Sequence, residues 1–175
     1  MVIITRYSRR NKDGKIKILG SEDSICPICG GRLTFRGTCR RKAVIPADTV
    51  GKNGRDVQTV EYILRVLVCR RCGKTHRELP SELVPYKRHS LSLICQEIES
   101  PYSPCDASTA LRLKLWVDWF ICYALTVAEG LALTGVYLKT EFPGEGLAAK
   151  LTYFVRAVVN SGFWKQHRSA VTAST

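Results

Sequence analysis

The segment Val57-Gln58-Thr59-Val60-Glu61-Tyr62-Ile63-Leu64-Arg65-Val66-Leu67-Val68-Cys69-Arg70-Arg71-Cys72-Gly73-Lys74 decides the fold. Up to Val68 it alternates and then runs apolar, with many β-branched side chains, which is the signature of a long strand. The strand leads directly into a Cys-x-x-Cys turn closed by glycine. A second turn of the same form, Cys26-Pro27-Ile28-Cys29-Gly30-Gly31, lies upstream. Each turn can aim two sulfurs at one ion, and the glycine after the second cysteine relieves the tight backbone this requires. Four thiolates suit a tetrahedral zinc ion. Cys26, Cys29, Cys69 and Cys72 are therefore the expected ligands of one structural Zn2+, with no coordination position left open for catalysis. A redox-active Cys-x-x-Cys opens a helix in a βαβ setting, and neither pair here precedes a helical pattern. An iron–sulfur cluster would also take four cysteines, but this knuckle form does not favour it.

Outward from these turns, Leu33–Arg36 and Ala43–Ile45 read as short strands and Thr75–Leu79 as a return strand. The stretch 48–56 reads as loop, with a hairpin tip at Gly51–Gly54. Residues 1–24 are polar and basic with a turn signal at Asn11-Lys12-Asp13-Gly14. They are expected as a basic N-terminal arm or as a hairpin leading into the metal site. The zinc ribbon then covers 25–88. Beyond Lys87-Arg88 the pattern becomes helical through 168, and 169–175 is expected to be a disordered tail. Leu91, Ile94, Cys95 and Ile98 recur at helical spacing over 89–99. Ser108 is the expected N-cap of a second helix with Leu111, Leu115, Trp119 and Cys122 on one face. A loop over 141–146 and a last helix over 147–159 follow, the latter stopping near Asn160-Ser161-Gly162. The fold class is α+β, a β-rich ribbon followed by an all-helical region.

The apolar run from Leu115 to Leu138 is long enough to span a bilayer. Asp118 and Glu129 interrupt it, each at a cost of about 2.5–3.5 kcal/mol in mid-membrane. A core helix is expected instead, with Gly130 and Gly135 suited to a break. No N-terminal apolar stretch suits a signal peptide, and the scattered cysteines do not form a disulfide framework. A reducing cytoplasm is the expected setting.

The net charge of +12 is not spread evenly: residues 1–88 hold 20 Lys and Arg against 8 Asp and Glu, and residues 89–175 hold 7 against 7. A basic module on a neutral body is the footprint of a polyanion binder. Arg36, Arg40, Arg41, Lys42, Arg70, Arg71, Lys74, Arg77, Lys87 and Arg88 are the expected phosphate contacts, supplying affinity without sequence choice. The helices at 89–99 and from Ser108 admit a helix-turn-helix in which Thr109, Arg112 and Lys114 face the groove. A plain helical hairpin is the other reading, because Ser100–Ala107 exceeds the usual 3–4-residue turn. Cys39, Cys95, Cys105 and Cys122 have no Cys-x-x-Cys partner, and His76 is expected at the surface.

Cys26-Pro27-Ile28-Cys29-Gly30, Cys69-Arg70-Arg71-Cys72-Gly73-Lys74-Thr75, Leu79-Pro80, Pro85-Tyr86-Lys87-Arg88 and Ser108-Thr109 with Trp116 and Trp119 resemble a bacterial zinc-ribbon family of unknown function. That family occurs with mobile elements and is similar to the N-terminal zinc-ribbon and helix-turn-helix parts of insertion-sequence transposases. The likeness covers about residues 25–120, and loosely the stretches 160–162 and 168–170. It implies that Cys39 stays out of the metal set, and that the partners are duplex DNA and a separate recombinase or transposase. The basic helix after Ser108-Thr109 is thinner here than in that family.

No phosphate-binding loop, His-Glu-x-x-His pair or acidic triad on a nuclease core is present, so no catalysis, small-molecule substrate or membrane role is expected. An adaptor docking the transcription or translation machinery, and an RNA-binding protein, are the alternatives.

Overall fold

The computed structural model describes residues 1–47, 57–138 and 146–164. Its elements are β1 (Val2–Ile4), β2 (Tyr7–Lys12), β3 (Lys15–Gly20), β4 (Leu33–Pro46), β5 (Val57–Cys69), β6 (Thr75–Pro80), α1 (Leu91–Glu99), α2 (Ala107–Leu133) and α3 (Leu147–Asn160). The architecture is α+β. The expected loop at 48–56 and its hairpin tip, the loop over 141–145 and the tail after 168 lie outside the described residues.

The long strand expected from Val57 is β5, and β4 pairs with it antiparallel along its whole length, Leu33 against Cys69 and Pro46 against Val57. The other edge of β5 is shared. Near its start, β3 lies parallel, Lys15 beside Glu61 and Lys17 beside Ile63. Near its end, β6 lies antiparallel, Leu67 beside His76. Each of these carries one further strand, β2 on β3 and β1 on β6. The result is one curled six-stranded sheet with two halves.

One expectation about strands needs correction. Leu33–Arg36 and Ala43–Ile45 are parts of one strand, because β5 offers a partner to the basic residues between them, and pairing overrides the weak strand preference of Arg and Lys. A bulge at Arg36 shifts the register between Phe35 and Gly37. Of the two readings of the N-terminal segment, the hairpin is the one found, as β2–β3, and not the arm; Val2, Ile3 and Ile4 ahead of it are buried in the sheet. The hairpin turn, Asp13-Gly14, has φ of 53° and 70°, the positive values that match a tight two-residue hairpin to the strand twist.

Alternation along β5 assigns the two faces of the sheet. Tyr62 and Leu64 point to the inner face, where they meet Ile18, Ala43, Leu79, Leu83 and Val84. The helices cover this face with Leu91, Ile94, Val117, Phe120, Leu151, Phe154 and Val158 in the same cluster. The core thus runs continuously across residues 88 and 89.

Ser90 caps α1, its hydroxyl accepting from the N–H of Leu93. Helix α2 starts at Asp106, not Ser108. The Asp106 carboxylate accepts from the N–H of Thr109 at 2.9 Å and from the hydroxyl of Ser108 at 2.6 Å. The expected apolar face is also wrong. Leu111 and Leu115 are 59% and 60% exposed, Cys122 is exposed, and the buried face is Leu113, Trp116, Val117, Phe120, Ala124 and Val127. This helix is apolar on most sides, so helical spacing alone does not select the face that packs. By length and composition α2 could cross a membrane; its buried side chains belong to the common core. The helix runs through Gly130 and ends at Leu133, before Gly135 with φ of +80°.

Helix α3 stops where expected, and its end is tied to the sheet. The Asn160 side chain accepts from the N–H of Ile3 at 2.8 Å and donates to its carbonyl at 3.0 Å, standing in for a missing strand on β1. Asn160→Leu would leave both backbone groups without these partners, at about 1–3 kcal/mol for a buried group. Urea unfolding is expected to show an unfolding free energy lowered by that amount and a correspondingly lower midpoint, with Asn160→Asp recovering only the acceptor.

Candidate metal centre and basic sheet face

The last residues of β5 turn the other way from Tyr62 and Leu64. Leu67 and Cys69 lie on the outer face with Val2, Cys26 and Leu33, forming a second, small apolar cluster around the two cysteine turns. The turns are nearly identical. In one, the Cys26 N–H donates to the Gly31 carbonyl (2.8 Å) and the Gly30 N–H to the Cys26 carbonyl (2.9 Å). In the other, the Cys69 N–H donates to the Lys74 carbonyl (2.9 Å) and the Gly73 N–H to the Cys69 carbonyl (2.9 Å). Gly30 and Gly73 sit at φ of +72° and +70°, where a side chain would be strained.

These turns bring the four expected sulfurs within 4.8 Å of one another. Cys26 Sγ lies 3.7 Å from Cys72 Sγ, and Cys29 Sγ lies 3.5 Å from Cys69 Sγ. A tetrahedron with metal–sulfur bonds of about 2.3 Å has edges of about 3.8 Å. The residues fit a four-coordinate ion. Arg71 ties the turns together by donating to the Cys29 carbonyl at 3.0 Å.

Without an ion the thiols would not ionise together. The backbone N–H of Cys72, opposed by burial and helped by the N–H of Arg71, draws the Cys69 thiol down to about 7. At Cys29 the hydrogen bond from Gly31 also lowers the value, but burial and the neighbouring sulfurs overcome it and push the thiol up to about 12. Four thiolates at this spacing need a cation among them.

His76 corrects an expectation. It is buried, with Nε2 3.3 Å from Cys26 Sγ and Nδ1 3.3 Å from the terminal amine of Met1. Its register on β6, opposite Leu67, turns it onto the metal face; only the pairing of strands reveals this. Cys39 goes the other way. It pairs with Leu64 and so lies on the inner face, across the sheet from the four ligands. Cys39→Ser is expected to leave metal content unchanged, measured by elemental analysis of the purified chain. Loss of the ion would overturn the ligand assignment. Cys95 and Cys105 pack against the main core, where burial pushes both thiols up to about 11.

The expected phosphate contacts and groove-facing residues separate into two groups. Arg36, Arg40, Lys42, Arg70, Lys74, Arg77, Arg88 and Lys114 are exposed. Others are engaged internally. Arg41 donates to the carbonyls of Val84 (2.5 Å) and Lys87 (2.7 Å), closing the turn that follows β6. Lys87 stands 4.4 Å over the Trp116 ring, and burial pushes its ammonium down to about 8. Arg112 folds onto its own helix, donating to the Ser108 carbonyl and the Thr109 hydroxyl. Thr109 is half-buried. The connector between α1 and α2 is held by the buried Glu97, which accepts from the Ser103 hydroxyl at 2.9 Å. The two helices are not joined by the tight turn of a helix-turn-helix.

Sequence reasoning missed the basic residues of the first hairpin. Arg10 and Lys12 of β2 pair with Lys17 and Lys15 of β3, and the register places all four on the outer face with Arg40 and Lys42. Their two-residue spacing was the available signal. Also unforeseen is Arg65, which donates to Glu78 from Nε (2.5 Å) and Nη2 (2.7 Å). Ser24 completes that carboxylate's partners at 3.0 Å.

A sheet with a four-cysteine knuckle at one end of a basic face defines an α+β protein equipped to hold one metal ion. The chain belongs to a family described as a domain of unknown function (DUF6431), whose model matches residues 26–113. That span opens on the first ligand cysteine and closes in the early turns of α2, so it contains both knuckles, β4 to β6 and α1. No curated protein and no solved structure matches the chain.

Proposed function

We propose that the chain is a zinc-ribbon DNA-binding protein, without catalytic activity, whose four-cysteine centre holds one zinc ion for structure. The observation that carries this reading is the placement of basic side chains on the sheet face that also bears the four cysteines. Zinc suits four thiolates in tetrahedral array, and such a closed site stabilises a fold without presenting a reactive position. Lysine and arginine on an exposed strand face neutralise phosphates and release counterions, giving affinity that is independent of sequence. An accessory or regulatory role beside a separate transposase rests on the likeness of the cysteine turns and of Ser108-Thr109 to insertion-sequence proteins, and the reducing cytoplasm on the scattered cysteines, which form no disulfide framework. Base reading by Thr109, Arg112 and Lys114 of a helix-turn-helix is the weaker part, since Arg112 is folded back. The alternatives are an adaptor for another protein and a binder of RNA.

A salt titration tests the reading. Binding to duplex DNA through six to ten phosphates should weaken by about 10³–10⁵-fold between 50 and 200 mM salt. Absence of any mobility shift at low salt would refute DNA binding, and preference for duplex RNA in competition would favour the RNA alternative.

A further inference from the structure

Resting on the DNA-binding reading, we infer that the duplex backbone docks on the outer face of the β2–β3–β5–β4 half-sheet, and not on the N-terminal end of α2. On this face the register sets Arg10 and Lys12 beside Lys17 and Lys15, and these across β5 from Arg40 and Lys42. The single carboxylate among them is Glu61, already 3.8 Å from both Lys15 and Arg40. Arg10, Lys12, Lys17 and Lys42 are exposed, and the buried faces of the helices pack on the inner side of this half-sheet.

Dimensions and chemistry agree on a duplex. Three strand spacings separate β2 from β4, about 14 Å, and two residues along a strand add about 7 Å. Long side chains on a patch of that size reach phosphates on both sides of a groove about 12 Å wide. A single-strand binder would instead interleave aromatic rings for base stacking. The registered residues around the patch, from Ser8 to Lys12, Lys15 to Leu19, Thr38 to Lys42 and Glu61 to Arg65, include one aromatic, and it points away: Tyr62 is buried in the inner core. The one exposed ring on this face among the described residues of these strands, Phe35, stands apart at the knuckle end of β4 and interleaves with no second ring. The α2 end offers two cations, and one of them, Arg112, is bonded to its own helix.

The test compares two variants of the metal-loaded full chain that remove equal charge: Lys17→Gln/Lys42→Gln on the sheet and Arg112→Gln/Lys114→Gln on α2. Each is titrated with a fluorescent duplex DNA of arbitrary sequence across a salt series. The sheet variant is expected to lower the log–log salt slope by about 1.8, two contacts at about 0.9 each. The α2 variant should keep the wild-type slope, and Lys17→Arg/Lys42→Arg should restore it. Metal content and circular dichroism verify folding of each. A slope lost in the α2 variant, or lost equally in both, overturns the docking face while DNA binding itself stands. If the unaltered chain shows no salt-dependent binding, the DNA reading fails and takes this one with it.

Discussion

Cys69→Ser is expected to abolish metal binding and to unfold the knuckle end of the sheet, the largest effect of any single change in this chain. Cys69 is fully buried at the end of β5 and lies 3.5 Å from Cys29. A serine hydroxyl is a poor substitute for a thiolate, and a three-sulfur site loses its closed tetrahedral shell. Beyond its cysteines, the cluster at this end has only Val2, Leu33 and Leu67 in its buried core. So small a core cannot hold two tight turns by itself. Structural zinc contributes about 10–16 kcal/mol of apparent free energy in zinc-finger peptides. Here the loss reaches from the knuckle along β4 and β5, paired end to end, into the strands that present the charge, while the main cluster keeps the helices in place. Hydrogen exchange should therefore lose protection around Cys26–Leu33 and Leu67–His76 while α3 stays protected. The pH dependence has a definite sign. Proton competes with metal at every thiol, so acidification weakens loading and uptake of the ion releases protons. Cys29, pushed up to about 12 in the metal-free chain, holds its proton longer than Cys69, drawn down to about 7.

The second large effect is expected at Glu78→Ala. The Glu78 side chain is 0% exposed and receives two hydrogen bonds from Arg65 and one from Ser24. This pair sits between the basic half of the outer face and the metal half, where β6 meets β5. Removing the acid strands the Arg65 charge in a site with limited water; breaking such a pair from one side costs about 3–5 kcal/mol. Equilibrium urea unfolding of metal-loaded protein should show that loss. The double variant Glu78→Leu/Arg65→Met should recover much of it, since no unpaired charge remains. A single variant as stable as the parent would show that the pair is not needed for the sheet.

Local chemistry was legible in the sequence wherever a short pattern sufficed. The knuckles announce themselves through Cys-x-x-Cys-Gly, β5 through its β-branched run, and α1 and α3 through spacing and their stop signals. What the register creates was not legible. Leu67 and Cys69 face away from Tyr62 and Leu64, and this alone puts the four clustered cysteines and the basic residues on one side and Cys39 on the other. The first hairpin was legible in its turn at Asn11–Gly14, but its place in the sheet was not, because the partners lie far along the chain: β1 pairs with Glu78–Pro80 and β3 with Glu61–Ile63. His76 and Glu78 read as ordinary polar strand residues until β6 is placed against the knuckle. In α2, two candidate faces shared one helical period, and the packing of the inner sheet face chose between them.

In the proposed function, one bound ion holds the strands that present the charge. The most direct test of this linkage is duplex DNA titration of the purified full chain at fixed low salt, before and after chelation and again after zinc is returned. Binding should disappear with the ion and reappear with zinc, in step with metal content measured on the same samples. Unchanged affinity in metal-free protein would contradict the linkage between the four cysteines and the basic sheet.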